Sequence, residues 1–168
     1  MEMWGQIVSV IGMIAIILSF QCKSNRNLVI VMGTGSLLFA VSFFMLGQPS
    51  AAAFNLIAVV CSVVCLKDNL KNKFVFGLIV ALYVVSTWFT ADGWWSWLLM
   101  VAQLSGSYTL MFKSGTFIRN VRFFFTSPVW LINNIVVCFT LGGIVCEIIT
   151  MISILVSFIR FRKTGFEK

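Results

Sequence analysis

A carboxyl group and two adjacent amides interrupt one of the most apolar stretches of the chain. Asn133, Asn134 and Glu147 lie in the run VWLINNIVVCFTLGGIVCEII, which covers residues 129–149. A carboxylate facing lipid costs about 2.5–3.5 kcal/mol or more, so we expect Glu147 to face the protein interior or a watery cavity. A carboxyl group there can take up and release a proton, and amides can hydrogen-bond a polar solute.

The basic residues are assigned to the loops between apolar runs, so no Lys, Arg or His is expected beside Glu147 within the membrane. An ion pair is therefore not predicted, and Glu147 is interpreted as neutral, hydrated or paired with a ligand. The two asparagines are adjacent and point about 100° apart on a helix. At most one of them is expected to face a shared pocket.

Other polar side chains are predicted at similar or slightly greater depth: Asn55, Gln103 and Ser105. At about 1.5 Å per residue, Asn134 and Glu147 lie roughly 7–10 Å from the outer helix ends. Hydrogen bonds between helices, typically worth about 0.6 kcal/mol, would explain such amides equally well. Trp130 lies one helical turn from the asparagines and either packs in the core or stacks on a ring-shaped solute.

The sequence lacks the residues expected of a metal centre or of a typical enzyme. It contains no histidine and 5 cysteines. Cys138 and Cys146 flank Gly142-Gly143, which we interpret as a turn, so a disulfide between them is geometrically conceivable. We expect no metal, no cofactor and no enzymatic activity.

Composition assigns the whole chain to a membrane. Hydrophobic residues make up 60 % and charged residues 10 %, against roughly 25 % charged residues in soluble domains. A spanning helix needs about 20 apolar residues. Seven runs of about that length predict an all-α polytopic bundle forming one domain, 1–168, with helices at 4–22, 28–46, 51–66, 74–90, 95–112, 121–141 and 143–161.

Basic residues follow the first, third, fifth and seventh runs, and the other connections contain none. The positive-inside rule then predicts an outer N-terminus and a cytoplasmic tail, 162–168. Because loop positions account for the net charge of +7, no nucleic-acid partner is expected. An aromatic belt is predicted at the outer helix ends, formed by Trp4, Trp88, Trp94, Trp95 and Trp97.

Two dipeptides recur in matching places of the two halves. Lys23-Ser24 corresponds to Lys113-Ser114, and Leu46-Gly47 corresponds to Leu141-Gly142. One spare helix between two three-helix copies leaves both copies the same way up, with a site between them. This 3+1+3 parallel-repeat arrangement predicts a first repeat, a linker helix and a second repeat at 1–66, 74–90 and 95–161.

The stretches LLMVAQLSGSYTLMFKSGTFIRNVRFFFTSPVWLINN and TLGGIVCE resemble the YgjV-type family of bacterial inner-membrane proteins. The resemblance covers nearly the whole chain and is sharpest at Trp130, Ile132, Asn134, Gly142, Gly143 and Glu147. Asn133 departs from the pattern, because a histidine is common there.

The family is in turn distantly similar to PQ-loop and SWEET-like sugar carriers, which share the three-plus-one-plus-three plan. This likeness implies a pocket lined by Asn55, Trp130 and Glu147. The chain departs from those carriers because it lacks their Pro-Gln pair in the first and fifth helices, and because Glu147 replaces an amide.

Together these features predict an inner-membrane carrier of a small polar solute, sugars included, working by alternating access. The predicted site consists of Asn55, Trp130, Asn134 and Glu147, with Asn133, Gln103 and Ser105 as further candidates. Proton coupling and facilitated diffusion are both open, and a homo-oligomer is compatible with the sequence. The alternative is a receptor or assembly protein that uses the same pocket without transport. Loops too short for a docking domain favour transport.

Overall fold

Helices make up almost all of the chain that the computed structural model describes, namely residues 2–67, 70–91, 93–113, 115–136 and 141–161. The elements are α1 (Glu2–Ser19), α2 (Asn25–Met45), α3 (Pro49–Cys65), α4 (Lys73–Thr90), α5 (Trp94–Phe112), α6 (Gly115–Val121), a π-helical segment (Arg122–Thr126), α7 (Ser127–Val136) and α8 (Leu141–Phe161). The backbone passes through Val121 and Ser127 in right-handed helical conformation. The elements α6, π segment and α7 therefore form one continuous rod, called the sixth rod below.

The all-α prediction is confirmed, and most predicted runs agree closely with the helices. Two differences matter for the site. The sixth rod begins at Gly115 rather than at residue 121, and α8 begins at Leu141. Gly142-Gly143 is therefore the first turn of α8, and its assignment as a turn between helices was wrong. Cys146 is a free cysteine, while Cys138 lies outside the described residues.

The exterior of the bundle is apolar, as expected of a protein surrounded by lipid. Three helices, at Asn25–Met45, Lys73–Thr90 and Gly143–Phe161, are long and apolar enough to cross a membrane, and Met3–Ser19 and Pro49–Cys65 are shorter apolar helices. Large side chains point outward along them, including Phe44, Phe74, Trp88, Phe89 and Ile159. A water-soluble monomer rarely exposes so much apolar surface.

Helices that are neighbours in sequence pack together in each half of the chain. In the first half, α2 packs against α1 and α3; in the second, α7 packs against α8 and α5. Two further contacts join the halves, α1 with α8 and α3 with α5, while α4 packs against α3 and α5. One core unites α2 to α6 around Phe54, Ile79 and Tyr83, and a smaller one joins α1 to α8 around Phe20 and Ile154.

Two glycines let α2 approach both of its neighbours closely. A Cβ at Gly33 would lie 2.9 Å from Ser62 Cβ on α3. A Cβ at Gly35 would lie 2.8 Å from Ile16 Cγ1 and 3.0 Å from the Gly12 carbonyl oxygen on α1. Small residues at helix contacts are a common device of membrane bundles, because backbones can then come close.

Arg119 ties the start of the sixth rod to the end of α1. Its side chain is fully buried. Nη2 donates to the carbonyls of Cys22 at 2.7 Å and Phe20 at 3.3 Å, and Nη1 donates to the Gly115 carbonyl at 3.0 Å. Charge-assisted bonds of this kind are stronger than neutral ones. Arg119 is thus a buried structural cation. The sequence had instead assigned it to a solvated basic loop.

We expect Gly35→Ala to lower the stability of the bundle by about 1–3 kcal/mol, because the added methyl group must displace Ile16 and approach a backbone carbonyl. Thermal melting of the purified protein in detergent measures this. Gly77→Ala on α4 is the matched control, since nothing lies within 4 Å of its added Cβ. Equal melting temperatures for the two variants would contradict close packing at Gly35.

Candidate functional site

A cavity of about 800 Å³ lies between the first and second halves of the chain. All described helices except α4 contribute to its lining. The walls combine apolar residues with polar side chains that include Gln6, Ser36, Asn55, Gln103, Thr126 and Asn134. Its volume falls within the range of about 300–1,000 Å³ that is usual for small-molecule sites.

One wall of the cavity is a line of residues along the sixth rod, each four positions after the last: Ile118, Arg122, Thr126, Trp130 and Asn134. In a regular α-helix, every step of four residues overshoots a full turn by about 40°, so such a line would wind away from the cavity. The π segment at Arg122–Thr126 has a wider turn. Its wider turn compensates part of the drift and keeps the five residues on one face.

Pro128 gives the local reason for this π segment. A proline has no N–H, and its ring crowds the carbonyl four residues earlier, here that of Phe124. The backbone N–H of Ser127 bonds instead to the carbonyl of Arg122, five residues back. Short π-helical segments inside α-helices are rare, and a large share of them lie at functional sites.

Glu147 forms an ion pair with Arg122, so the prediction that it has no cationic partner was wrong. Arg122 Nη2 lies 3.1 Å from Glu147 Oε1 and 3.5 Å from Oε2. The error arose because Arg122, the second residue of the predicted run 121–141, was counted with the basic loop before it, whereas the helix begins at Gly115 and carries Arg122 inward. The pair neutralises a carboxylate that would otherwise be costly in this apolar setting.

The ion pair is unevenly exposed to its surroundings. The Arg122 side chain is 21 % exposed and the Glu147 side chain 8 % exposed. Both hydrogen bonds to the carboxylate come from the same nitrogen of Arg122, Nη2, whereas a guanidinium carries five N–H donors. Arg122 therefore retains donor capacity beside the cavity while Glu147 holds it in place.

The structure brings most of the predicted site residues together and leaves two aside. Asn55, Gln103, Trp130, Asn134 and Glu147 all line the cavity. Two predicted candidates are not among the lining residues: Asn133, although buried, and Ser105, whose hydroxyl donates to the Ala102 carbonyl of its own helix. Of the adjacent asparagines only one faces the cavity, as the helical spacing predicts.

Asn134 packs closely against α8 because Gly143, which has no side chain, lies opposite it. A Cβ at Gly143 would lie 2.7 Å from Asn134 Cγ and Nδ2 and 2.8 Å from Oδ1. The glycine therefore leaves the space that the Asn134 amide occupies. This close contact of α7 with α8 places Asn134 on the same wall as Glu147, one turn further along α8.

Sequence reasoning missed Arg122 and Thr126 as lining residues. A signal was present, because both lie at multiples of four positions before Trp130 and Asn134 and precede Pro128. Within the described residues, no group of three or more His, Cys, Asp or Glu side chains could hold a metal ion.

The apolar exterior, the helical bundle and the internal cavity with polar side chains in its wall define an integral membrane protein. A family model described as Imp-YgjV, bacterial inner membrane protein, matches residues 3–165, and the chain belongs to that family. No curated protein and no solved structure gives a significant match. The resemblance drawn from the sequence is confirmed at the level of this family, and the more distant likeness to SWEET-like carriers stays a prediction.

We expect Arg122→Gln to destabilise the protein by about 3–5 kcal/mol, because it leaves the Glu147 carboxylate buried without its cation. The double variant Arg122→Gln/Glu147→Gln removes both charges and should regain much of this loss. Melting temperatures of wild type, both single variants and the double variant give the coupling between the two residues. The deficit of Arg122→Gln should also shrink at acidic pH, since protonation neutralises the unpaired carboxylate.

Additive effects of the two substitutions at every pH would show that the ion pair contributes nothing to stability. As a control, Lys67→Gln removes a cation that is exposed at a helix end. It should leave the melting temperature nearly unchanged, because surface charges contribute little.

Proposed function

We propose that this inner-membrane protein carries a small polar solute through the cavity between its two halves. The observation that carries the proposal is the joint lining of one internal cavity by Asn55 from the first half and by Gln103, Trp130, Asn134 and Glu147 from the second. A bundle that needed only stability would fill this space with apolar side chains. The cavity instead presents amide, carboxylate and guanidinium groups to its contents.

The packing of the helices supports alternating access by two three-helix groups. The first group is α1, α2 and α3, and the second is α5, the sixth rod and α8. If the two groups are superimposed, α1 corresponds to α5 and α3 corresponds to α8. The contact of α1 with α8 then corresponds to that of α5 with α3, and both contacts are present. A pseudo-two-fold relation of this kind is the parallel-repeat plan of some carriers, which bind solute where the repeats meet. In this proposal α4 is the linker, and the two groups rock around the cavity.

The chemistry of the lining favours a solute with hydrogen-bond donors and acceptors close together. The pair Arg122–Glu147 supplies donors and acceptors side by side, and Asn134 and Gln103 add amides. Trp130 offers a flat apolar surface, against which a sugar ring or another ring can stack. Sugars, amino acids and nucleosides all meet this description.

We further propose that the N-terminus lies outside and the C-terminus in the cytoplasm, because the basic loops fall on one side of the helix zigzag. A fluorescent protein fused after Lys168 should fluoresce, and alkaline phosphatase fused at the same position should be inactive. The opposite pair of results would reverse the orientation and leave the cavity unaffected.

Binding of the solute is expected to change tryptophan fluorescence and to raise the melting temperature. The purified protein is titrated with sugars, amino acids and nucleosides at acidic, neutral and alkaline pH. The saturable response should be lost or weakened at least about tenfold in Asn134→Ala and Glu147→Gln, since lost contacts to a buried polar solute cost roughly 1.4 kcal/mol or more. Asn133→Ala is the matched control, because Asn133 is also buried but is not among the residues lining the cavity.

Uptake of the responding compound into liposomes then separates carrier from receptor. Flux that requires Asn134 and Glu147 supports transport, and its dependence on a proton gradient tests coupling through Glu147. Saturable binding without flux would favour the receptor or assembly protein. No response from any compound, with all variants behaving like wild type, would overturn a solute site in this cavity.

A further inference from the structure

A second cavity, of about 510 Å³, lies at the end of the bundle where α2 begins and where α3 and α5 end. Its lining residues come from α2, α3, α5 and α6, from the segment between α3 and α4, and from Lys113 directly after α5. Leu110 and Ile118 border both cavities, but the charged residues of the second cavity do not line the first. The two cavities therefore have separate polar groups.

The second cavity has a positive lining. Arg26, Lys71 and Lys113 contribute cationic side chains, and no carboxylate from the described part of the chain lines it. Cations grouped around one recess attract a multiply charged anion more strongly than a single loop lysine does. Basic recesses between membrane helices are a known way to bind the phosphate of a lipid headgroup.

The start of α2 adds to this positive field. Asn25 and Arg26, its first two residues, line the cavity. The preceding Ser24 makes no side-chain capping bond, so the first backbone N–H groups of α2 have no partner from their cap. The positive end of the helix dipole points toward the same space and complements the three side chains.

Lys113 is oriented by two aromatic rings at this cavity. Its Nζ lies 5.8 Å from the centre of the Tyr108 ring and 5.6 Å from that of Phe117. Cation–π contacts of this length hold an ammonium group in place without neutralising it. The remaining wall is apolar and includes Val29, Leu66, Leu110 and Met111.

We propose that this second cavity binds a phosphate ester, with the phosphate near Arg26, Lys71 and Lys113 and its organic part on the apolar wall. An anionic phospholipid and a soluble phosphorylated compound share this chemistry. The phosphate accepts hydrogen bonds from guanidinium and ammonium groups, which are the usual phosphate-binding side chains of proteins. The site differs from the proposed solute pathway and does not depend on it.

The test compares two double variants that remove equal charge from the same end of the bundle. Arg26→Gln/Lys113→Gln changes the cavity, whereas Lys67→Gln/Lys73→Gln changes two exposed cations that do not line it. Retention of phosphatidylglycerol over phosphatidylcholine is measured by native mass spectrometry of the purified protein. Thermal melting is measured with inorganic phosphate and pyrophosphate, against chloride at constant ionic strength.

We expect the cavity variant to bind phosphate at least about tenfold more weakly than wild type, because each nearby cation contributes substantially to such binding. The control variant should bind like wild type. Selective retention of phosphatidylglycerol identifies a lipid headgroup as the source; a melting shift with soluble phosphate or pyrophosphate, without lipid selectivity, identifies a soluble ligand. Equal losses in both variants, or neither lipid selectivity nor a melting shift in wild type, would overturn the site.

Discussion

The buried ion pair of Arg122 and Glu147 is the constraint on which the arrangement of the second half depends. Separating the two groups would leave each charge in an environment that solvates it poorly, so the sixth rod and α8 must stay close enough for the two side chains to meet. The π segment turns Arg122 toward the cavity, and Gly143 allows α8 to approach Asn134. Both features keep the pair and the neighbouring amide on one wall.

The helices could be predicted from the sequence because hydropathy reports the transfer of whole segments into lipid, which tertiary contacts alter little. The start of the sixth rod could not be predicted in this way. The segment GTFIRNVR has two arginines and an asparagine and therefore has the composition of a loop. It is helical because Arg119 finds carbonyl acceptors on the α1 terminus and Arg122 finds Glu147. Such partners lie about a hundred or twenty-five positions away and leave no local signal.

Site residues could be predicted where residue type and depth in the membrane were enough to identify them. The ion pair could not be predicted, because two groups distant in sequence had to meet. Asn55, Gln103, Trp130, Asn134 and Glu147 were chosen as polar or aromatic residues at similar depth, and they line one cavity. The pairing that determines the charge of this cavity required the exact start of a helix. Gly142-Gly143 has the composition of a turn, yet the pair begins α8. A glycine is present at 143 because Asn134 already fills the space that a side chain would need.

Arg119 has a consequence for how the two halves can move. Its guanidinium holds carbonyls on the α1 terminus and on its own rod, with no exposed surface. Displacing these elements at that end would strip a charged donor of its acceptors, a far greater cost than sliding apolar surfaces past each other. Arg119 therefore joins the α1 terminus firmly to the sixth rod at this end of the bundle. In the proposed alternating access, opening at this end must break or carry along these bonds, so it costs more than opening at the opposite end.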